Sequence, residues 1–133
     1  MAALQGGLTF QKGLGAVHAL SHPLGGLKQI SLHHGTPNAV LLPAVLRFNE
    51  PSAKEKYAEI RRTLGLAPDA DLAAWIAGLT ARLGMPASLS AMGVPHEVLP
   101  AIAQAAVQDH SSATNPRAAT ASDYEAMLAA SFS

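Results

Sequence analysis

Four of the six histidines in this 133-residue chain lie within 17 residues of one another, at His18, His22, His33 and His34. His18 and His22 are four positions apart, so on a helix both rings project from one face, about one turn apart. This spacing can hold one metal ion, or place one ligand beside a group that transfers protons. Imidazoles without thiolates suit Zn²⁺ or Fe²⁺. The cluster is therefore a candidate metal site; the alternative is a group of surface or partly buried histidines.

The residues missing from this cluster limit its chemistry. Ala-Leu-Ser separates His18 from His22, so the glutamate of the HExxH zinc-protease pattern is absent. No acidic residue precedes Glu50. A hydrolytic metal site built from this segment alone would have neither a general base nor a carboxylate ligand. His96 and His110 stand apart from the cluster and are interpreted as isolated surface residues.

Two further patterns are interpreted as structural. The Gly-Leu-Gly run at 13–15 has His18 where a dinucleotide-binding loop would have its third glycine, and no strand precedes it. It is therefore not predicted to bind a nucleotide. The arginine pair at 61–62 is predicted to lie on the solvated side of a helix.

Composition bounds the class of protein. The length predicts one domain with one hydrophobic core. Nine basic residues balance nine acidic ones, which argues against nucleic acid or an anionic membrane as a partner. Apolar residues make up 49% and charged residues 14%, so disorder is not expected. Without cysteine there is no disulfide or thiolate site, and no apolar run approaches the roughly 20 residues of a membrane span. We expect a cytoplasmic protein.

The elements that must position the histidines are predicted to be helices. Apolar residues recur at helical spacing along almost the whole chain, and an aromatic content of 5% disfavours a sheet. The prediction is an all-α helical bundle. Its seven helices are expected over about 2–11, 14–25, 36–48, 52–64, 71–83, 95–107 and 120–132, with 110–119 as a polar connection.

Polar residues and glycines mark the predicted helix ends. Gly65 and Gly84 are predicted to end helices. The apolar pattern begins at Met1 without a cap or polar lead-in, which favours a chain cut from something longer. Four residues are predicted to cap helix N-termini, with capping boxes at the second and fourth: Thr36, Ser52, Asp71 and Thr120.

Two runs of the sequence resemble the iron-containing (group III) alcohol dehydrogenases. They are GLGAVHALSHPLGG at 13–26 and HGTPNAVLLP at 34–43. The similarity continues through RFN at 47–49, LGMP at 83–86 and ATNPR at 113–117, and it covers essentially the whole chain.

The resemblance implies a divided enzyme. Family members have an N-terminal α/β domain that binds NAD(P), a C-terminal helical domain of the dehydroquinate synthase-like type, and a divalent metal in the cleft between them. Residues 1–133 would be the C-terminal, metal-binding domain, with the nucleotide-binding domain absent. By motif, His18 and His34 match two metal ligands, and His22 matches a catalytic histidine beside the metal. The loop before His34 is about two residues longer than the family pattern, so His33 remains the alternative ligand.

The chemistry that the resemblance implies is hydride transfer between an alcohol carbon and nicotinamide. A metal, Fe²⁺ or alternatively Zn²⁺, acts as a Lewis acid on the oxygen of a small alcohol or aldehyde. The isolated chain is expected to be inactive, and an exposed apolar surface is expected to favour self-association into a homo-oligomer. The alternative is a stand-alone helical metal-binding or interaction module on the same scaffold.

Overall fold

A computed structural model describes residues 1–27 and 35–133, without the side chains at 6, 7 and 9–11. Within this part of the chain there are helices and no strand, as predicted. The α-helices are α1 (Ala2–Lys12), α2 (Ala16–Gly25), α3 (Gly35–Asn49), α4 (Lys54–Thr63), α5 (Leu72–Arg82), α6 (Leu99–Gln108) and α7 (Ala121–Ala130). Short 3₁₀ helices cover Glu50–Ser52, His96–Val98 and His110–Thr114.

Helix α2 lies at the centre of the bundle. It packs between α3 and α6, α7 closes against both, and α5 packs on the outside of α3. The side chains of Ala19, Ala103 and Ala106 are completely buried, and their small size lets α2 and α6 approach closely. Larger side chains fill the remaining core, among them Leu20, Leu24, Leu41, Tyr124 and Leu128.

Helix ends set by local chemistry lie where the sequence predicts them. Asp71 caps α5, where its side chain accepts a hydrogen bond from the Ala74 amide at 2.9 Å. Thr120 forms the predicted capping box at the start of α7. Gly65 and Gly84 have φ angles of +68° and +71°, and each follows the C-cap of its helix. Glycine adopts this left-handed conformation without a steric penalty, which explains both stops.

The predicted cap at Ser52 is wrong. Ser52 ends a 3₁₀ helix that begins at Glu50, and Ala53 is the N-cap of α4, without a side-chain hydrogen bond. Pro51 stands at the first turn of this 3₁₀ helix, where its fixed φ favours a tight turn. The chain is therefore already helical at Ser52, which takes this residue out of the extended conformation that an N-cap needs.

Two other helix starts also need correction. Helix α3 begins at Gly35, so Thr36 lies inside the first turn instead of capping it. Pro95 precedes a 3₁₀ turn, and α6 begins only at Leu99. The loop predicted between α2 and α3 falls largely on residues 28–34, which lie outside the described residues.

Arg61 is buried, contrary to the prediction of a solvated pair. Its Nε donates a hydrogen bond to the carbonyl of Ala70 at 2.7 Å, and its guanidinium forms an ion pair with Glu50. The chain turns back after Gly65 and passes over Arg61, which brings the carbonyl into reach. Arg62 is exposed, as predicted.

The surface of the described part of the chain includes exposed apolar side chains on its first helix. Helix α1 exposes apolar side chains, with Leu4 65% and Leu8 51% exposed. No helix in the described part of the chain combines the length and apolar character that a bilayer crossing requires.

Candidate functional site

His18 and His22 lie side by side on α2, as their spacing predicts. Their ring centroids are 5.7 Å apart, with an angle of 66° between the ring planes. Both side chains are partly buried. His34 and its alternative His33 lie outside the described residues, and the assignment of both metal ligands stays a prediction.

The carboxylate of Asp109 contacts His22 from the end of α6. His22 Nδ1 and Asp109 Oδ2 are 2.8 Å apart, and the two side chains are 30% and 15% exposed. Burial raises the pKa of Asp109, but hydrogen bonds from His22 and Ser111 together outweigh burial and leave it below its usual value of 3.8. Asp109 is therefore ionised at neutral pH. In a neutral imidazole this contact places the proton on Nδ1 and leaves Nε2 as the acceptor nitrogen.

Sequence reasoning missed Asp109. It found no acidic residue near the histidines, because Asp109 follows His22 by 87 positions. The one local signal is a turn: Asp109 Oδ1 accepts a hydrogen bond from the Ser111 amide at 2.8 Å and caps a 3₁₀ helix. That signal predicts a capping role, and it carries no information about a contact with α2.

His110 is a surface residue, as predicted, but it is not isolated. Its ring stacks on His22, with centroids 5.7 Å apart and planes 25° apart. Its Nδ1 lies 3.7 Å from Asp109 Oδ1, and its side chain is 75% exposed. His22 is thus flanked by His18 on one side and His110 on another. His96, by contrast, is exposed and packs edge-on against Phe132, away from this group.

Asn115 fixes the start of the helix that carries both histidines. Its Oδ1 accepts a hydrogen bond at 3.0 Å from the amide of Ala16, the first residue of α2. Its amide group also donates to Asn49 Oδ1 at 2.7 Å, and Asn49 Nδ2 donates back at 3.0 Å. Asn115 therefore joins the first turn of α2 to the last residue of α3. The segment 110–119, predicted as a plain polar connection, organises the site.

The glycines at 13 and 15 allow this close approach. A Cβ on Gly13 would lie 2.6 Å from Thr114 Cγ2, and its φ of +101° disfavours any other residue. A Cβ on Gly15 would lie 3.0 Å from Asn115 Oδ1. These glycines serve packing against the 3₁₀ helix and the residue that follows it.

A cavity of about 550 Å³ opens beside His18, between α2, α3 and Asn115. Asn38 also lines this cavity, and its Oδ1 is buried and has no hydrogen-bond partner within the described residues. Tyr57 also lines the cavity; burial raises the pKa of its hydroxyl, and the nearby Glu50 raises it further. The cavity is thus lined by His18, Asn38 and Tyr57, whose phenol is protonated at neutral pH. This space and these donors are compatible with a metal ion and a small polar ligand.

Residues 1–132 match the family model described as "Fe-containing alcohol dehydrogenase family, C-terminal". The chain therefore belongs to the iron-containing alcohol dehydrogenase family, as its histidine motifs predict.

Relatives with known names agree with this assignment. The chain is 48% identical over 134 residues to the 4-hydroxybutyrate dehydrogenase of Cupriavidus necator, covering 96% of this chain and 35% of that protein. It is 41% identical over 120 residues to the lactaldehyde reductase of Escherichia coli K12, covering 84% and 31%. The crystal structure of a 1,3-propanediol oxidoreductase superposes with a TM-score of 0.81 at 36% identity, covering 90% and 33%. The chain spans about a third of the length of these proteins.

Proposed function

We propose that these residues form the metal-binding helical part of an NAD(P)-dependent dehydrogenase that interconverts a small alcohol and its aldehyde or ketone. Membership of the iron-containing family supports the reaction class, and the three relatives are named for small alcohols, aldehydes or hydroxy acids. The observation that carries the proposal is the pair His18 and His22, which share one face of α2, with His18 lining an open cavity.

His18 and His34 would hold a divalent metal, with His33 as the alternative to His34. Imidazole donors suit Fe²⁺, and Zn²⁺ equally by ligand type; the family favours Fe²⁺. When bound, the metal supplies Lewis acidity that lowers the pKa of the substrate hydroxyl. The cavity beside His18, with the buried oxygen of Asn38, would receive the polar end of the substrate.

His22 would act as the catalytic group beside the metal. Asp109 holds its Nδ1, which leaves Nε2 to hold or move a proton during alcohol oxidation. His22 is partly exposed, so that proton has a route to solvent.

The nucleotide would be bound outside these residues, and the isolated chain would be inactive. Its one Gly-x-Gly run packs against Thr114 and Asn115 instead of forming a phosphate-binding turn. Hydride transfer needs nicotinamide held in contact with the substrate carbon, and catalytic metal sites usually have at least three protein ligands. The exposed apolar side chains of α1 would favour self-association of the chain alone.

Metal analysis tests the proposed ligands directly. The purified chain is stripped of metal, titrated with Fe²⁺ under anaerobic conditions and separately with Zn²⁺, and compared with single alanine variants. Changing His18 or His34 should weaken Fe²⁺ binding, and Zn²⁺ binding at this same site, by at least about 10–100-fold. Changing His33, or the distant His96, should have little effect. If the His33 variant loses metal and the His34 variant keeps it, the ligand assignment is wrong.

A chimera tests the reaction. The region of the Cupriavidus necator 4-hydroxybutyrate dehydrogenase that matches this chain is replaced by residues 1–133, which the 48% identity makes practicable. We expect NAD(P)-dependent turnover of 4-hydroxybutyrate or another short alcohol, abolished by His18→Ala. A folded, metal-loaded chimera without turnover of any of these alcohols would instead favour a stand-alone metal-binding module.

A further inference from the structure

One side chain of α2 and two side chains that follow the end of α6 form a cluster of possible metal ligands. His22, Asp109 and His110 each offer one ligand atom, and these atoms lie within 4.8 Å of one another. His22 Nδ1 is 2.8 Å from Asp109 Oδ2, and His110 Nδ1 is 3.7 Å from Asp109 Oδ1. Two ligands on one tetrahedral Zn²⁺, each at about 2.1 Å from the ion, are about 3.4 Å apart. Of the two observed distances, the one between His22 and Asp109 is shorter than 3.4 Å and the one between His110 and Asp109 is longer, so small side-chain movements would bring both to that value.

We propose that His22, Asp109 and His110 form a second divalent-cation site, suited to Zn²⁺, next to the site of His18 and His34. Two imidazoles and one carboxylate are a ligand set that Zn²⁺ prefers, with a fourth position open to water. The second site shares no ligand with the first. It does not rest on the proposed function, because its ligands, unlike His34, all belong to the described residues.

The fold holds two of the three ligands in place and leaves the third accessible. His22 stands on the central helix, between turns that carry the fully buried Leu20 and Leu24. Asp109 is fixed by the hydrogen bond from the Ser111 amide. His110 is 75% exposed and stacks on His22, so an ion can enter from solvent and a small rotation of one ring completes the site.

Cation binding here has a distinct chemical signature. The ion would take His22 through Nδ1, the nitrogen that otherwise contacts Asp109, and the ring proton would then reside on Nε2. Binding at this site therefore exchanges the tautomer of His22. This one consequence rests on the proposed function: in the assembled enzyme, excess Zn²⁺ would inhibit by removing the acceptor nitrogen that His22 needs for proton transfer.

Zinc titration of metal-free chain in a His18→Ala background tests the site, since this variant removes a ligand of the neighbouring site. We expect saturable binding of one Zn²⁺, with ring-proton and ¹⁵N resonances of His22 and His110 shifting together. Adding His110→Ala should weaken that binding by at least about 10-fold. Adding His96→Ala, an exposed histidine elsewhere, should leave it unchanged.

The results distinguish the second cation site from the metal site proposed for His18 and His34. If His18→Ala abolishes all Zn²⁺ binding, or if adding His110→Ala leaves the affinity unchanged, the second site is refuted and the His18 site is unaffected. If His110→Ala alone abolishes binding and His18→Ala does not change it, the second site stands and the first fails. Circular dichroism of the His110 variant, whose side chain is 75% exposed, checks that the fold is kept.

Discussion

Asp109 accepts a hydrogen bond from His22 across 87 positions of the sequence, with the two atoms 2.8 Å apart. The contact ties the end of α6 to the helix that carries both described histidines of the site. Because the carboxylate is an acceptor only, it determines which nitrogen of a neutral His22 carries the proton. His22 therefore has an orienting partner that the sequence around it does not contain.

Replacing Asp109 should change the tautomer of His22. In the metal-free chain, Asp109→Ala should convert His22 from the Nδ1–H form to a mixture, whereas Asp109→Asn should preserve the Nδ1–H form because its carbonyl oxygen still accepts. Long-range ¹H–¹⁵N correlation of the imidazole rings measures the two forms. His96 serves as the internal control. An unchanged His22 spectrum in the alanine variant would contradict the orienting role.

Asn115→Ala should destabilise the fold by about 1–3 kcal/mol, since it leaves the amide of Ala16 and the side chain of Asn49 without their partner. Urea unfolding measures the change. Gln104→Ala, at an exposed position of α6, is the control and should stay within about 0.5 kcal/mol of wild type. Equal stability of the two variants would show that Asn115 does not hold α2 in place.

Gly13→Ala should lower the free energy of unfolding by more than backbone strain alone would. The new Cβ would overlap Thr114 at a positive φ, so the two costs, each about 1–3 kcal/mol, act together. Gly84 also has a positive φ, but a Cβ there would meet nothing within 4 Å, so Gly84→Ala should cost only about 1–2 kcal/mol. The difference between the two unfolding free energies isolates the contact with Thr114. No difference would mean that the contact relaxes without cost.

Arg61 and Arg62 form a matched pair for testing burial. Arg61→Ala removes a donor from the carbonyl of Ala70 and the partner of Glu50, and should lower the free energy of unfolding by about 1–3 kcal/mol. Arg62→Ala should change it by no more than about 0.5 kcal/mol. Chemical denaturation of both variants measures the effect. Similar losses would show that the buried contacts of Arg61 contribute nothing.

The sequence predicts those features that depend on neighbours along the chain. The caps at Asp71 and Thr120 need only hydrogen-bond partners three residues away, and the His18–His22 pair needs only helical periodicity. Asp109 and Asn115 could not be assigned their roles, because their partners lie 87 and 99 positions away and are brought close only by packing of the core.

Local rules also fail where two of them compete. The residues from Ser52 to Glu55 predict a capping box. Ser52 instead belongs to a 3₁₀ helix that begins at Glu50, so its backbone is not in the extended conformation that an N-cap needs. The arginine at 61 fits a solvated face by helical spacing, yet the loop after α4 covers it. In both cases the outcome depends on a turn of the chain, and the spacing of apolar residues does not predict where a turn places the backbone.

The capping box of α7 should make stability depend on pH in acid. Hydrogen bonds from the backbone and then the hydroxyl of Thr120 lower the pKa of Asp123 below its usual value of 3.8. A carboxyl whose pKa is lower in the folded state contributes stability above its unfolded pKa and loses it as the pH falls through the folded one. Asp123→Asn should therefore lower Tm at neutral pH, and the difference from wild type should shrink below about pH 4.

Thermal unfolding followed by circular dichroism between neutral pH and pH 3 measures this difference. Asparagine can still accept a hydrogen bond from Thr120 through its carbonyl oxygen, so the variant removes the charge and keeps the shape of the cap. Asp69→Asn, at an exposed aspartate between α4 and α5, controls for the loss of one negative charge. Its Tm difference from wild type at neutral pH should be small. If the Asp123→Asn difference stays constant down to pH 3, the carboxylate charge does not stabilise the start of α7.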